Sequence, residues 1–142
     1  MLYNKGTLHM QLGQGDEAME MFRGAIAVDP AHVKAMGNLA AVLAASKRHA
    51  EAVVLLERAL TTLTDTAQGK LPADLAVALG GAYEAASASD EEPASSSTRL
   101  QAAHRAYRRA LRAHPSHSGA KAHLARLVRS ATISYSFAKF SA

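Results

Sequence analysis

The chain has 142 residues, of which 49% are hydrophobic, so it is long enough to bury the core of one domain. It contains no cysteine, which excludes disulfide bridges, thiolate zinc sites and cysteine nucleophiles. The formal net charge is +4, but residues 1–92 hold all the acidic side chains, and residues 93–142 hold only basic ones. This asymmetry makes the C-terminal part attractive to an anionic partner.

The N-terminal sequence shows no targeting or membrane signal. No apolar run approaches the ~20 residues that a membrane span requires. The first ten residues lack the basic and then apolar layout of a signal peptide. We therefore expect a cytoplasmic protein.

Small and bulky residues recur in the first half of the chain with a spacing of 34. The matching pairs are Gly6 and Ala40, Ala18 and Ala52, Phe22 and Leu56, and Ala25 and Ala59. Two helices approach closely only where one of them presents Gly or Ala, so the small residues predict contacts between packed helices. Gly13 and Gly15 supply a turn between two helices, and Pro30 ends the second.

The period of 34 and the order Ala18, Phe22, Ala25 and Pro30 resemble the tetratricopeptide repeat (TPR), a helix-turn-helix unit whose copies stack into a solenoid. The resemblance implies an all-α fold, an α-solenoid of antiparallel helix pairs with about seven helices. A TPR domain is expected at 1–131, with repeats at about 2–30, 33–66 and 73–115.

The third repeat is longer than the second by eleven residues, which fall between its two helical patterns. We predict a loop insertion at about 85–98, because this run is rich in Ser, Ala and acidic residues. A terminal solvating helix is predicted at about 117–130. Residues 132–142 alternate apolar and polar positions like a strand without a partner, so they are predicted to form an irregular tail.

The resemblance implies a function as well as a fold. TPR domains usually bind a partner peptide in the groove lined by their first helices, so we expect a non-catalytic protein-protein interaction scaffold. The groove positions are Tyr3, Asn4, Thr7, Gln11, Lys34, Asn38, Ala41, Asp74, Ala78, His123 and Arg126. Asn4 and Asn38 are 34 residues apart and resemble the asparagine ladder in the TPR array of the O-linked N-acetylglucosamine transferase family.

One well-defined subset of the family grips the C-terminal carboxylate of chaperones with Lys, Asn and Arg side chains. Only Asn38 matches that pattern here. Tyr3 and Thr7 replace the first pair of clamp residues, and Asp74 and Ala78 replace the last pair. The sequence therefore argues against a chaperone tail as the partner.

Two other functions remain open at this point. The chain could be the substrate-docking or regulatory segment of a larger enzyme, such as a glycosyltransferase of the family named above. Alternatively, its basic C-terminal half could bind anions, for which the candidate residues are Arg105, Arg108, Arg109 and Arg112. A solvated helix face is favoured over contact with nucleic acid or an anionic surface, because no aromatic residues are interleaved for base stacking.

Catalytic and cofactor signals are weak. No Ser-His-Asp order, phosphate-binding loop or pair of carboxylates can be assembled, and no cofactor is expected. His114, His117 and His123 are closely spaced but lack nearby carboxylates, so flanking a helix break is favoured over binding metal. His9 occupies a repeat packing position, which favours a core role.

Ser87 and Ser89 precede an acidic run and resemble acid-directed kinase sites. Phosphate on either serine is expected to dock on Arg105 or Arg109.

Overall fold

The computed structural model describes residues 1–63, 70–89 and 93–140, with side chains described except at 93, 94 and 131–140. The described ranges contain helices joined by turns and no strand. In chain order the helices are α1 (Leu2–Gln11), α2 (Gly15–Val28), α3 (Val33–Ala45), α4 (His49–Thr62), α5 (Lys70–Ser87), α6 (Pro93–Ala113) and α7 (Ser118–Phe140). The prediction of an all-α solenoid is confirmed.

Each helix packs on the next one in the chain, as expected for stacked helix pairs. In addition, α1 contacts α3 and α3 contacts α5, whereas α2 and α4, and α4 and α6, make no comparable contact in the described ranges. The first helices of the pairs are therefore closer together than the second helices. The stack curves so that α1, α3 and α5 line its inner side, which we call the groove.

The turns within the first two pairs share one backbone feature. Gly13 has φ +73°, and Lys47, which lies 34 residues later, has φ 60°. Both values lie in the left-handed region, which glycine adopts without strain and lysine does not. Helices α3 and α7 also begin alike, because His32 and His117 each accept a backbone N–H three residues on through Nδ1.

The core of the first and third pairs depends on an aromatic ring packed over a glycine. Phe22 and Tyr107 are both fully buried. A Cβ added to Gly6 would lie 2.7 Å from Phe22 Cε1, and one added to Gly80 would lie 2.5 Å from Tyr107 Cε1. Any side chain at either glycine would displace the ring, so these helices can reach their observed separation only with glycine there.

The predicted loop at 85–98 is wrong for most of its length. Residues 85–87 form the end of α5, and residues 93–98 form the beginning of α6. Residues 90–92 lie outside the described residues. The extra residues of the third repeat thus lengthen two helices, because Ala favours a helix and the packing of neighbouring turns offsets the lower helix propensity of Ser.

The C-terminal predictions need a similar correction. The terminal helix α7 begins near the expected residue but continues to Phe140, so residues 132–140 are helical rather than irregular. Residues 141–142 lie outside the described residues. The alternation of apolar and polar residues in this short segment was misread as a strand pattern, since a helix tolerates the same composition.

Candidate binding groove

The N-terminal end of the groove is built around Tyr3. Its ring lies 4.9 Å from the ring of His32 and 6.0 Å from that of Phe22. Asn38 Nδ2 lies 3.5 Å from the Tyr3 hydroxyl, and Thr7 Oγ1 donates to the Tyr3 carbonyl at 3.0 Å. Tyr3 and Thr7 therefore have structural contacts of their own within the first two helix pairs.

Other predicted groove residues present their side chains to solvent. The exposed members of the set are Asn4, Gln11, Lys34, Ala41, Asp74, Ala78 and Arg126, and Asn38 is half-buried. Gly37 is so close to α5 that an added Cβ would lie 2.8 Å from Leu75 Cδ2. Leu75 thus covers Gly37, whereas the small exposed side chains of Ala41 and Ala78 let another polypeptide backbone approach the groove.

Asp74 is joined to the start of α7. His117 Nε2 donates to Asp74 Oδ1 at 2.9 Å. Because His117 Nδ1 accepts the N–H of Ala120, the proton of the neutral ring must lie on Nε2, which suits this geometry. Asp74 therefore contributes a negative charge to the groove wall and also holds α7 in place.

The C-terminal end of the groove is occupied by a network centred on Glu84, whose side chain is 17% exposed. The Tyr107 hydroxyl donates to Glu84 Oε1 at 2.5 Å, and Arg126 donates to Glu84 Oε2. The His123 ring stacks on the Tyr107 ring with centroids 4.9 Å apart, and its Nδ1 accepts from Arg126 at 3.0 Å. His123 and Arg126, predicted as ligand contacts, are instead joined to α5 and α6.

Burial and a carboxylate partner raise the pKa of two tyrosines, of which Tyr107 belongs to this network. Burial, and then the hydrogen bond to Glu84, raises the pKa of Tyr107 well above its ordinary range. Burial and a hydrogen bond to Glu57 raise the pKa of Tyr83 to about 12. Both hydroxyls thus remain protonated donors at neutral pH.

Sequence reasoning missed Glu84. The signal was present, because Tyr107 lies four residues after Ala103 and three before Ala110, as Phe22 lies after Ala18 and before Ala25, and a buried tyrosine needs a partner for its hydroxyl. Glu84 follows Gly80 by one helical turn, which places it on the face of α5 that meets Tyr107.

The four candidate arginines of α6 do not share one environment. Arg105, Arg108 and Arg112 are exposed. Arg109 is half-buried, and its Nη2 donates to the carbonyl of Leu60 near the end of α4 at 3.0 Å. Arg109 therefore binds α6 to the preceding repeat, where it satisfies a carbonyl that the helix leaves unpaired.

The clustered histidines and His9 also have distinct environments. His114 contacts Ser116, at 3.1 Å between Nδ1 and Oγ. His9 is half-buried rather than in the core, and its Nδ1 lies 2.8 Å from Gln14 Oε1 at the first turn. Among the described residues, no three His, Asp or Glu side chains come together as a metal site would require. No helix in the described ranges is long and apolar enough to cross a membrane.

A sequence comparison matches residues 9–75 to the tetratricopeptide repeat family model. No curated protein sequence matches the chain.

Solved structures with a similar fold cover nearly the whole chain. The first TPR of Spaghetti (RPAP3), bound to the HSP90 peptide SRMEEVD, is similar with a TM-score of 0.76 and 20% identity, covering 92% of this chain and 90% of that one. The TPR domain of Sgt2 from Aspergillus fumigatus has a TM-score of 0.74 and 19% identity, covering 94% of this chain and 79% of that one. The structure of MamA has a TM-score of 0.75 and 19% identity, covering 92% of this chain and 67% of that one. At these identities the likeness concerns the fold alone.

Proposed function

From the premise that this chain belongs to the tetratricopeptide repeat family, we propose that it binds an extended segment of a partner protein along the groove formed by α1, α3 and α5. The fold is in general a non-catalytic interaction module. We propose no catalytic role for this chain itself. Stacked first helices form an extended concave surface, which suits a peptide better than a small molecule.

The observation that carries the proposal is the contrast between the two ends of the groove. At its C-terminal end, Glu84, His123 and Arg126 bind one another. In the N-terminal two thirds, Asn4 is exposed, and Asn38 at the equivalent position of the next repeat is half-buried, with only a long contact of 3.5 Å from its Nδ2 to the Tyr3 hydroxyl among the bonds described. An amide donates and accepts at once, so it can pair with the backbone of a peptide whatever its side chains.

The chemistry of the groove also restricts the class of peptide that it can bind. A carboxylate-terminated chaperone tail requires cationic and amide side chains at the positions of Tyr3, Thr7, Asp74 and Ala78. Here Asp74 supplies a carboxylate, which repels a terminal carboxylate, and Tyr3 packs against His32. We propose a peptide recognised through its backbone, with its side chains lying over the exposed Ala41 of α3 and Ala78 of α5.

The test uses the double variant Asn4→Ala with Asn38→Ala. The partner is first identified by affinity purification and mass spectrometry with the wild-type chain, and its affinity is then measured by calorimetry. Two peptide hydrogen bonds are worth about 0.5–1.5 kcal/mol each, so binding should weaken by about 5-fold to 150-fold. Thermal stability should remain nearly unchanged.

The matched control is Val54→Ala on α4, where the side chain is 64% exposed on the outer side of the stack. This variant should bind the partner like the wild type. Equal affinity for the wild type and the asparagine double variant would place the binding site outside the groove. A loss of affinity in Val54→Ala would place it on the outer side.

A further inference from the structure

A cavity outside the groove lies between α2 and α4, on the outer side of the stack. These two helices do not pack on each other as α1 and α3 do, which leaves a gap of about 460 Å³ over α3. The lining comes from all three helices and consists of Arg23, Ile26, Leu39, Leu43, Ala50, Glu51, Val54 and Leu55. A volume of this size falls in the range of small-molecule sites.

The interior of this cavity is apolar. Leu39 and Leu43 of α3 are buried and form its floor. Ile26 of α2 and Leu55 of α4 are half-buried on its two sides, and Val54 is 64% exposed at the opening. An apolar cavity that opens to solvent favours a ligand with an apolar body.

Arg23 places a positive charge at the opening. Its guanidinium is exposed and forms no hydrogen bond or ion pair within the part of the chain that the structure describes. The nearby Glu51 is held by Arg48 through hydrogen bonds of 2.6 and 2.7 Å. These bonds are the main cause that lowers the pKa of Glu51, and the charge of Arg23 is the smallest. Arg23 can therefore bind an anion at the opening.

The repeat register relates this gap to the next one along the stack, between α4 and α6. Leu43 and Tyr83 each lie three residues after the small contact residue of their helix. Arg23 and Glu57 are 34 residues apart and each follow the bulky contact residue of their helix directly. The two gaps therefore have equivalent positions with different side chains.

The protein fills the gap between α4 and α6 with a phenol ring of its own. The Tyr83 hydroxyl donates to Glu57, so the ring reaches from α5 to α4. Tyr83 is also close enough to Arg105 of α6 to interact with its charge. In the gap between α2 and α4 the shorter Leu43 cannot reach as far, and the equivalent space stays open.

We propose that the cavity between α2 and α4 binds a small aromatic acid, with its ring over Leu43 and its carboxylate on Arg23. The ring takes the place that the Tyr83 ring has in the next gap. The polar contact is reversed, since Glu57 accepts from a hydroxyl whereas Arg23 donates to a carboxylate.

This site is separate from the groove on α3. The groove uses Asn38 and Ala41, whereas the cavity uses Leu39 and Leu43 on another face of the same helix. The aromatic acid therefore does not compete with the proposed peptide, and the two proposals can be tested independently.

The first experiment titrates the full chain, labelled with ¹³C at the methyl groups of Ile, Leu and Val, with naphthalene-2-carboxylate. The methyl resonances of the apolar lining should shift together and saturate. Those of Leu8 and Leu12, which are exposed on α1, should not move. Saturable shifts centred on other methyl groups, or the absence of any saturable shift, would overturn the proposal.

The charge requirement is tested with Arg23→Gln and with the neutral probe naphthalene-2-carboxamide. Arg23→Gln should weaken binding of the carboxylate roughly fivefold, as expected for an exposed ion pair, and leave binding of the carboxamide unchanged. Arg108→Gln removes another exposed charge, on α6, and should bind both probes like the wild type. An equal loss of both probes in Arg23→Gln, or a loss of the carboxylate in Arg108→Gln, would contradict the ion pair.

Leu43→Tyr tests the comparison with the next repeat. Its phenol should enter the cavity as Tyr83 enters the gap between α4 and α6, so binding of both probes should be lost. Val54→Phe narrows the same cavity from its exposed opening without altering the buried core, and it should weaken both probes as well. Unchanged binding in Val54→Phe and in folded Leu43→Tyr would overturn the assignment.

Discussion

The first and third repeats share one contact and differ in what surrounds it. In both, an aromatic ring covers a glycine of the preceding helix: Phe22 covers Gly6, and Tyr107 covers Gly80. The glycine and the ring are 16 residues apart in the first repeat and 27 in the third, yet they pack in the same way. The contact therefore fixes the packing of these two helix pairs, and helix length is free to vary around it.

The surroundings of the two rings show how a repeat can be adapted. One turn after the glycine, the first repeat has Met10 and the third has Glu84. The carboxylate accepts from the Tyr107 hydroxyl and from Arg126 of α7. One hydroxyl and one carboxylate thus turn an apolar helix contact into an anchor for the last helix.

The largest expected effect tests the shared contact. Phe22→Ala removes a fully buried ring and leaves a cavity over Gly6, so unfolding free energy should fall by about 3–5 kcal/mol. Tyr107→Ala should cost at least as much, since it also deprives Glu84 of a donor. Urea unfolding followed by circular dichroism measures both. A cost below about 1 kcal/mol for either would show that the ring does not organise its repeat.

Removing the hydroxyl of Tyr107 and adding one to Phe22 tests the difference between the surroundings of the two rings. Tyr107→Phe should cost about 1.5–3 kcal/mol, because a hydrogen bond to a charged group is lost. Phe22→Tyr should cost about 1–3 kcal/mol, because Met10 offers the new buried hydroxyl only a weak acceptor. Adding Met10→Glu to Phe22→Tyr should recover part of that loss. If Phe22→Tyr alone were neutral, the environments of the two rings would not differ as described.

Substitutions in the turn between α1 and α2 should have a smaller effect on stability. Gly13→Ala places a Cβ at φ +73° and should destabilise the chain by about 1 kcal/mol. Gly15→Ala is the control, because its Cβ would lie 3.7 Å from Val42 Cγ1 in ordinary contact and alanine favours a helix. Thermal unfolding distinguishes the two. An equal response would indicate that the left-handed turn is not needed to start α2.

The smallest effect concerns pH. The pKa of Tyr83 in the folded chain, about 12, lies above the ordinary value of 10. Its contribution to stability is therefore complete below pH 10 and is lost as the pH rises towards 12, where the unfolded chain ionises first. Because the ring is partly exposed, the contribution should be under about 1 kcal/mol. Tyr83→Phe should lose less stability than the wild type between pH 10 and 12; an unchanged or steeper loss would contradict this.

Local pattern was sufficient to predict the helix pairs and the contact residues. Small residues spaced by 34 indicate helix contacts, because two helices approach closely only where a small residue such as Gly6 or Ala18 faces the neighbouring helix. Helix length was harder to predict, since Ala- and Ser-rich segments such as residues 93–98 are helical only when neighbouring turns support them.

The groove was predicted only in part, for a different physical reason. Positions such as Asn4 and Ala41 follow from the repeat register and are exposed as expected. Whether a charged residue is available to a ligand depends on partners far away in the chain. Arg126 meets Glu84, 42 residues earlier, and no local pattern reveals that contact.

The groove assignment is tested most directly by photo-crosslinking from two exposed positions on opposite sides of the stack. A photoreactive benzoylphenylalanine is placed at Ala41 on α3 or at Val54 on α4, both exposed. Each chain is irradiated with the purified partner identified by the wild-type protein, and the adduct yield is measured by mass spectrometry. The account predicts strong crosslinking from position 41 and little from position 54. Strong crosslinking from position 54 with little from position 41 would contradict it and place the partner on the outer side of the solenoid.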